Sequence, residues 1–326
     1  MLPLSSNSPH RALLRTALIL LGILALSGCT SRKVIVVGEA HKDPPFKPEK
    51  RDKATLVIVG DTGKPGANLD AVRKAIKAEP KDLIIATGDL IYPWAPKCRI
   101  GELRGSERKV MELHVKKALE GLGAPVLIAL GNHDVGLKFG RHPAQESCFF
   151  ELASESDDLV FPDLNYDVDL GVALISVINT NALEAETGTR LSKTLPAFSG
   201  WTIIAGHHVT RTYHDKEDEN VVLPWMRTHK LKPDLYVNGH AHFLQFGIYE
   251  NIPSLTSGSG AKLRERPSCP PDCGEGQLWG VSKVGYALVQ LSSEKMIVSF
   301  KDTQGETLWT WEKVRKAKGS TKPAGD

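Results

Sequence analysis

Five apolar runs in this chain end alike, in a small residue followed closely by a side chain able to bind a metal. Ala54–Val59 leads into Gly60-Asp61, and Leu83–Ala86 into Gly88-Asp89 with Tyr92 three residues on. Pro125–Leu130 leads into Gly131-Asn132-His133-Asp134, Trp201–Ala205 into Gly206-His207, and Leu235–Val237 into Gly239-His240-Ala241-His242. Short continuous apolar runs between turn residues read as buried strands. Polar residues at the carboxyl ends of such strands converge on one edge of an α/β sheet, where sites form. Glycine there lets the backbone turn sharply and approach a ligand.

The segments between these runs set the fold class. Leu69–Ala78 has the spacing of an amphipathic helix, and Glu107–Leu122 carries Val110, Leu113, Ala118 and Leu122 along one stripe. Val172–Ile178 reads as a further strand. Phe246–Tyr249, Tyr286–Leu291 and Met296–Phe300 read as antiparallel or mixed strands. Strands joined first by helices and then by short turns predict an α/β fold, a four-layer α/β/β/α sandwich of two mixed sheets flanked by helices. The expected catalytic domain is 54–314.

Carboxylates, imidazoles and an amide at one edge suit two metal ions, because a shared carboxylate can join them and imidazoles complete each shell. Two ions about 3.5–4 Å apart clamp a phosphate and activate water. The ordered set resembles the metallophosphoesterase superfamily that includes calcineurin. Tyr92 and Gly239-His-Ala-His242 followed by Leu244-Gln245 make it most similar to the small, tartrate-resistant type of purple acid phosphatase. The resemblance implies a ferric site from Asp61, Asp89, Tyr92 and His242. It implies a divalent site (iron, zinc or manganese) from Asp89, Asn132, His207 and His240, with Asp89 bridging. It implies hydrolysis of small phosphate monoesters by a metal-bound hydroxide. His133 would stand near the phosphate and Asp134 would orient His133. The family's second outer-sphere histidine falls here on Lys216; His214 is the expected substitute, with His208 also nearby. Arg190, Arg211 and Lys216 are candidates for a second substrate charge. The aromatic residues Trp94, Trp201, Trp225 and Trp279 are expected in packing or loops, and His114 on an exposed helix face.

The amino-terminal residues read as a targeting segment. His10, Arg11 and Arg15 precede the apolar run Thr16–Leu26, which is too short to span a bilayer comfortably and ends in Leu26-Ser-Gly-Cys29. This resembles a bacterial lipobox. Residues 1–28 would be a signal peptide, Cys29 a lipidated membrane anchor, 29–53 a flexible linker rich in Lys and Pro, and 315–326 a flexible tail. The expected product is an exported, membrane-anchored lipoprotein. Cys98, Cys148, Cys269 and Cys273 remain, an even number that fits disulfides in an oxidising compartment, with a zinc site as the weaker rival. The net charge of +3 lacks the basic excess of a nucleic-acid binder. A phosphodiesterase or nucleotidase on the same scaffold, a colourless dimanganese or dizinc enzyme, and a non-catalytic lipoprotein using the fold as a binding surface are the alternatives. The sequence leaves the oligomeric state unknown.

Overall fold

The computed structural model describes residues 49–98, 102–136, 143–212, 221–265 and 276–315. The signal segment, Cys29, most of the linker, His214, Lys216, Cys269, Cys273 and the tail beyond Arg315 lie outside the described residues. The strands, in chain order, are β1 (Lys53–Val59), β2 (Leu83–Thr87), β3 (Val126–Ala129), β4 (Leu159–Val160), β5 (Tyr166–Asp169), β6 (Ala173–Val177) and β7 (Trp201–Ala205). They continue with β8 (Leu235–Asn238), β9 (Leu244–Tyr249), β10 (Ile252–Ser257), β11 (Gln277–Val281), β12 (Gly285–Ser292), β13 (Lys295–Asp302) and β14 (Thr307–Val314). One seven-stranded sheet runs β14-β13-β12-β1-β2-β3-β4, and the other β11-β9-β10-β8-β7-β6-β5. Each is mixed: β1 to β4 are parallel in the first, and β6, β7, β8 and β10 in the second.

Side-chain alternation explains the layers. Ile203 and Ala205 of β7, with Leu235 and Val237 of β8, belong to the main core. Their neighbours Ile204 and Tyr236 join a separate cluster with Leu191, Leu195, Leu223 and Met226. A strand sends successive residues to opposite faces, so the helices Ala185–Ala197 and Val222–Thr228 cover the outer face of the second sheet. The amphipathic helix Ala67–Ala78 buries Leu69, Val72, Ala75 and Ile76 in the main core. The two flanked mixed sheets are the sandwich that the sequence predicts.

Some boundaries differ from expectation. Lys53 opens β1, and the Arg51 N–H donates to Leu170 O at 2.7 Å, so the chain is already held before the expected end of the linker. The helix expected over Glu107–Leu122 begins at Gly105 and contains a π-helical turn, Glu112–Lys116. Pro143–Ser154 is helical as well. Cys148 on that helix forms a disulfide with Cys98, tying it to the segment after Tyr92. Trp309 of β14 stacks on Trp279 of β11 with centroids 5.6 Å apart, and Trp311 meets Phe246 of β9. The first pair joins the edge strands β14 and β11 of the two sheets, the second joins β14 to β9, and Trp279 is the packing residue that the sequence predicts. Trp201, fully buried, donates its indole N–H to Ser292 O at 2.6 Å. Among the described residues no helix is long and apolar enough to cross a membrane.

Candidate metal centre

The carboxyl ends of parallel strands from both sheets deliver the donor side chains. β1, β2 and β3 of the first sheet lead to Asp61, Asp89 and Asn132; β7 and β8 of the second lead to His207 and to His240 and His242. Asp61, Asp89, His240 and His242 all have left-handed backbones, with φ between 53° and 71°. Such conformations cost a residue with a Cβ about 1–3 kcal/mol and persist where surrounding structure imposes them, often at functional sites. Close approach explains the adjoining glycines. A Cβ on Gly131 would collide with the Asp89 carboxylate, and one on Gly239 would stand 2.7 Å from Asp61 Oδ2.

The donors form two groups. The Tyr92 hydroxyl lies 2.8 Å from Asp61 Oδ1, 2.8 Å from Asp89 Oδ2 and 3.1 Å from His242 Nε2, and His242 Nε2 is 3.2 Å from Asp61 Oδ1. In the second group Asn132 Oδ1 is 3.0 Å from His207 Nε2 and 3.1 Å from His240 Nδ1, and these two nitrogens are 3.1 Å apart. Asp89 reaches both: Oδ2 faces Tyr92, while Oδ1 lies 3.4 Å from His207 Nε2. Among the described residues, one ligand atom each from Asp61, Asp89 and His207 lie within 4.8 Å of one another.

Proton accounting shows what this arrangement lacks. His207 Nδ1–H donates to Thr87 O at 2.8 Å, leaving Nε2 as a lone pair aimed into the site. Metal-binding histidines commonly fix their other nitrogen in this way. Tyr92 has one hydroxyl proton for two carboxylates. Burial, then the charge of Asp89, push the Asp61 carboxyl well above its usual range. Burial, then Asp61 and Asp89, push the Tyr92 phenol far up. Burial, then His240, hold His207 well below the usual imidazole range and keep it neutral. Buried anionic donors beside neutral imidazole and amide donors need cations between them. The donor set therefore fits the pair of metals that the sequence implies.

Around the donors the structure revises several expectations. Asp134 does not orient His133. Its fully buried carboxylate accepts the backbone N–H groups of Leu90 at 2.8 Å, Ile91 at 3.2 Å and Gly131 at 2.8 Å. It clamps the Asp89 loop to the Asn132 loop, because backbone donors left free by both turns point at it. His133 is oriented instead by Pro93, whose carbonyl accepts from Nδ1–H. The imidazole also lies between Tyr92 and Trp94, with both centroids 4.5 Å away and Trp94 stacked on it. Nε2 is then directed toward the site, 3.9 Å from Asp89 Oδ2. Trp94 lies in a loop, as the sequence predicts, and there it forms a wall of the site, 42% exposed.

His208 is buried, with Nδ1 2.8 Å from Thr180 Oγ1 and its ring beside that of His240. Thr180 Oγ1 also accepts the backbone N–H groups of His207 and His208, a role with no mark in the sequence. His114 is a bonded residue rather than an exposed one: Nδ1–H donates to Gly63 O at 2.7 Å and holds the loop after Asp61. Arg190 pairs with Asp167 instead of facing the donors.

Residues 54–244 match the family model described as calcineurin-like phosphoesterase. Purple acid phosphatase 4 of Arabidopsis thaliana is 26% identical over 308 residues, covering 81% of this chain and 85% of that protein. Among solved structures, GAP50, the anchor in the inner membrane complex of Plasmodium, superposes with a TM-score of 0.61 at 18% identity, over 82% of this chain and 91% of that one. A purple acid phosphatase from yellow lupin (Lupinus luteus) seeds gives a TM-score of 0.60 at 14% identity, over 83% of this chain and 55% of that one. At these identities the two structures speak for the fold alone, while the matched model spans the motif loops from Asp61 to His242. The chain belongs to the calcineurin-like phosphoesterase family, hydrolases that act on phosphate esters.

Proposed function

We propose that the protein is a two-metal phosphatase acting on small phosphate monoesters, with ferric iron in the Asp61, Asp89, Tyr92 and His242 group and a divalent iron, zinc or manganese ion in the Asp89, Asn132, His207 and His240 group. The observation that carries this is the division of the Asp89 carboxylate, Oδ2 to one donor group and Oδ1 to the other. The anionic first group suits a trivalent ion, for which phenolate and carboxylate are hard donors, and the neutral second group suits a divalent one. When bound, such ions neutralise phosphate charge and lower the pKa of water.

The chain's own residues supply the rest. With Nδ1–H committed to Pro93 O, protonated His133 carries its second proton on Nε2, the nitrogen directed toward the site. It would give that proton to the departing alcohol oxygen. The Tyr92 and Trp94 rings hold this imidazole from both sides. Asp134 fixes the spacing of the loops bearing Asp89 and Asn132.

Metal analysis together with a monoester and a diester assayed side by side tests the reading. Two metal equivalents and preferential monoester turnover are expected. Diester preference would favour the diesterase alternative, and metal-free, inactive protein would favour a binding role like that named for the Plasmodium anchor. Export on a lipidated Cys29 belongs to the same proposal. The Cys98–Cys148 disulfide supports it, since such bonds persist in oxidising compartments. Cys29→Ala is expected to release the protein from membranes into the soluble fraction; retention would refute the anchor.

A further inference from the structure

Lys262 stands where a cation meets the ring of Tyr92. Its loop follows β10 and lies across the backbone of the first donor group. The Gly260 N–H donates to Gly60 O at 3.0 Å, and the N–H groups of Ala261 and Lys262 donate to Asp61 O at 3.2 and 3.3 Å. Arg264 N–H donates to His242 O at 3.0 Å. The loop is thus fastened to the residues on either side of Tyr92. Lys262 Nζ then sits 4.0 Å from the centroid of the Tyr92 ring, well within cation–π range. Among the described residues no carboxylate lies within ion-pair distance of Nζ. Its charge is directed to an aromatic ring whose oxygen touches Asp61 and Asp89.

We propose that Lys262 is a positioning residue that sets the donor strength of Tyr92 through its charge on the ring face. This rests on Tyr92 serving as a metal ligand. A phenolate donates electron density from the π system that the ammonium covers. A nearby positive charge lowers the energy of those electrons, and in a half-buried site it is only partly screened. Weaker donation leaves the bound metal more electron-poor, favours its reduced form and raises the energy of transitions from phenolate to metal. Groups outside the ligand shell commonly tune a metal in this way.

Three proteins loaded with iron test the proposal: the parent, Lys262→Met, which keeps side-chain length without charge, and Lys262→Arg, which keeps the charge. Visible absorption and reduction potential are read alongside kcat and KM. Lys262→Met is expected to move the visible band to longer wavelength and lower the potential, with Lys262→Arg close to the parent in both. A parental band and potential in Lys262→Met would overturn the proposal; if KM alone rose, the ammonium would be a substrate contact instead. An iron-loaded parent with no visible band would remove Tyr92 as a ligand, and this proposal with it. A parental band that disappears in Tyr92→Phe but stays fixed in Lys262→Met would overturn the Lys262 role alone.

Discussion

The two halves of the site sit side by side yet solve opposite electrostatic problems. Around Asp61, Tyr92 and His242, burial crowds anionic donors together, and without a cation the acids are driven to keep their protons. Around Asn132, His207 and His240 there is no carboxylate but the shared Asp89, and burial drives the His207 imidazole to lose its proton. One half needs positive charge; the other has lone pairs prepared for an ion. Asp89 belongs to both, so it is where the comparison is most easily broken. Asp89→Asn is expected to lose metal from both halves, and phosphatase activity should fall by more than the ~10²-fold typical when only an outer-shell partner is lost. A variant retaining two metal equivalents and full turnover would show that the carboxylate is not shared.

Changes confined to one half sharpen the contrast. His207→Ala should leave one metal equivalent, held by the half that contains Tyr92, and the visible band should survive. Tyr92→Phe should have the reverse signature: the band disappears while the second-half ion remains. Metal content and absorption measured on the same two preparations decide this. Equal loss of both ions in each variant would mean that the halves do not fill independently.

Asp134 bears on both halves at once, because it joins the loop of Asp89 to the loop of Asn132. Asp134→Asn leaves one acceptor oxygen where three backbone N–H groups converge. A weakening of metal affinity by about 10–100-fold at both positions is expected. Dependence on the leaving group should stay parental, whereas His133→Gln should alter it. If Asp134→Asn reproduced the leaving-group signature of His133→Gln, the orienting role expected from sequence would be restored.

That role was misread for a physical reason. An Asp directly after a His expected to face the phosphate invites a side-chain pairing, but the groups that satisfy Asp134 are backbone donors, which have no letter in a sequence. Thr180, bonded to the amides of His207 and His208, was invisible for the same reason, as was Lys262, whose loop is placed by carbonyls of Gly60 and Asp61. The seven side chains that the structure gathers at the candidate site were legible because their loops follow unbroken apolar runs, and a parallel strand buried on both faces leaves that trace. The edge strand β14 left a weaker one. Its partners Trp279 and Phe246 lie far away in the chain, so the period-two alternation around Trp309 and Trp311 had no neighbour to read it against. The helix Ala185–Ala197 hid behind Gly188 and Pro196, two residues that usually argue against a helix interior. Gly188 is explained by the His229 ring packed against it, where a Cβ would collide.

The smallest expected effect separates the halves by sign alone, in protein stripped of metal. Native Asp61 keeps its proton above 3.8, where the unfolded chain has released it. Its contribution to stability is therefore lost as pH rises through its raised native value. Native His207 refuses the proton that the unfolded chain takes up below 6.5, so its contribution is lost as pH falls. Wherever only one state is protonated, each group changes stability by ~1.4 kcal/mol per pH unit. Where both apply, the two slopes oppose one another in the parent. Removing one group uncovers the other. Asp61→Asn should tilt the curve of Tm against pH upward, toward greater stability at higher pH, and His207→Gln should tilt it downward. Thermal melts of the chelated proteins from about pH 4 to 6.5 measure both tilts. Tilts of the same sign would mean that the halves are not electrostatic opposites, and the assignment of a trivalent ion to one and a divalent ion to the other would lose its physical basis.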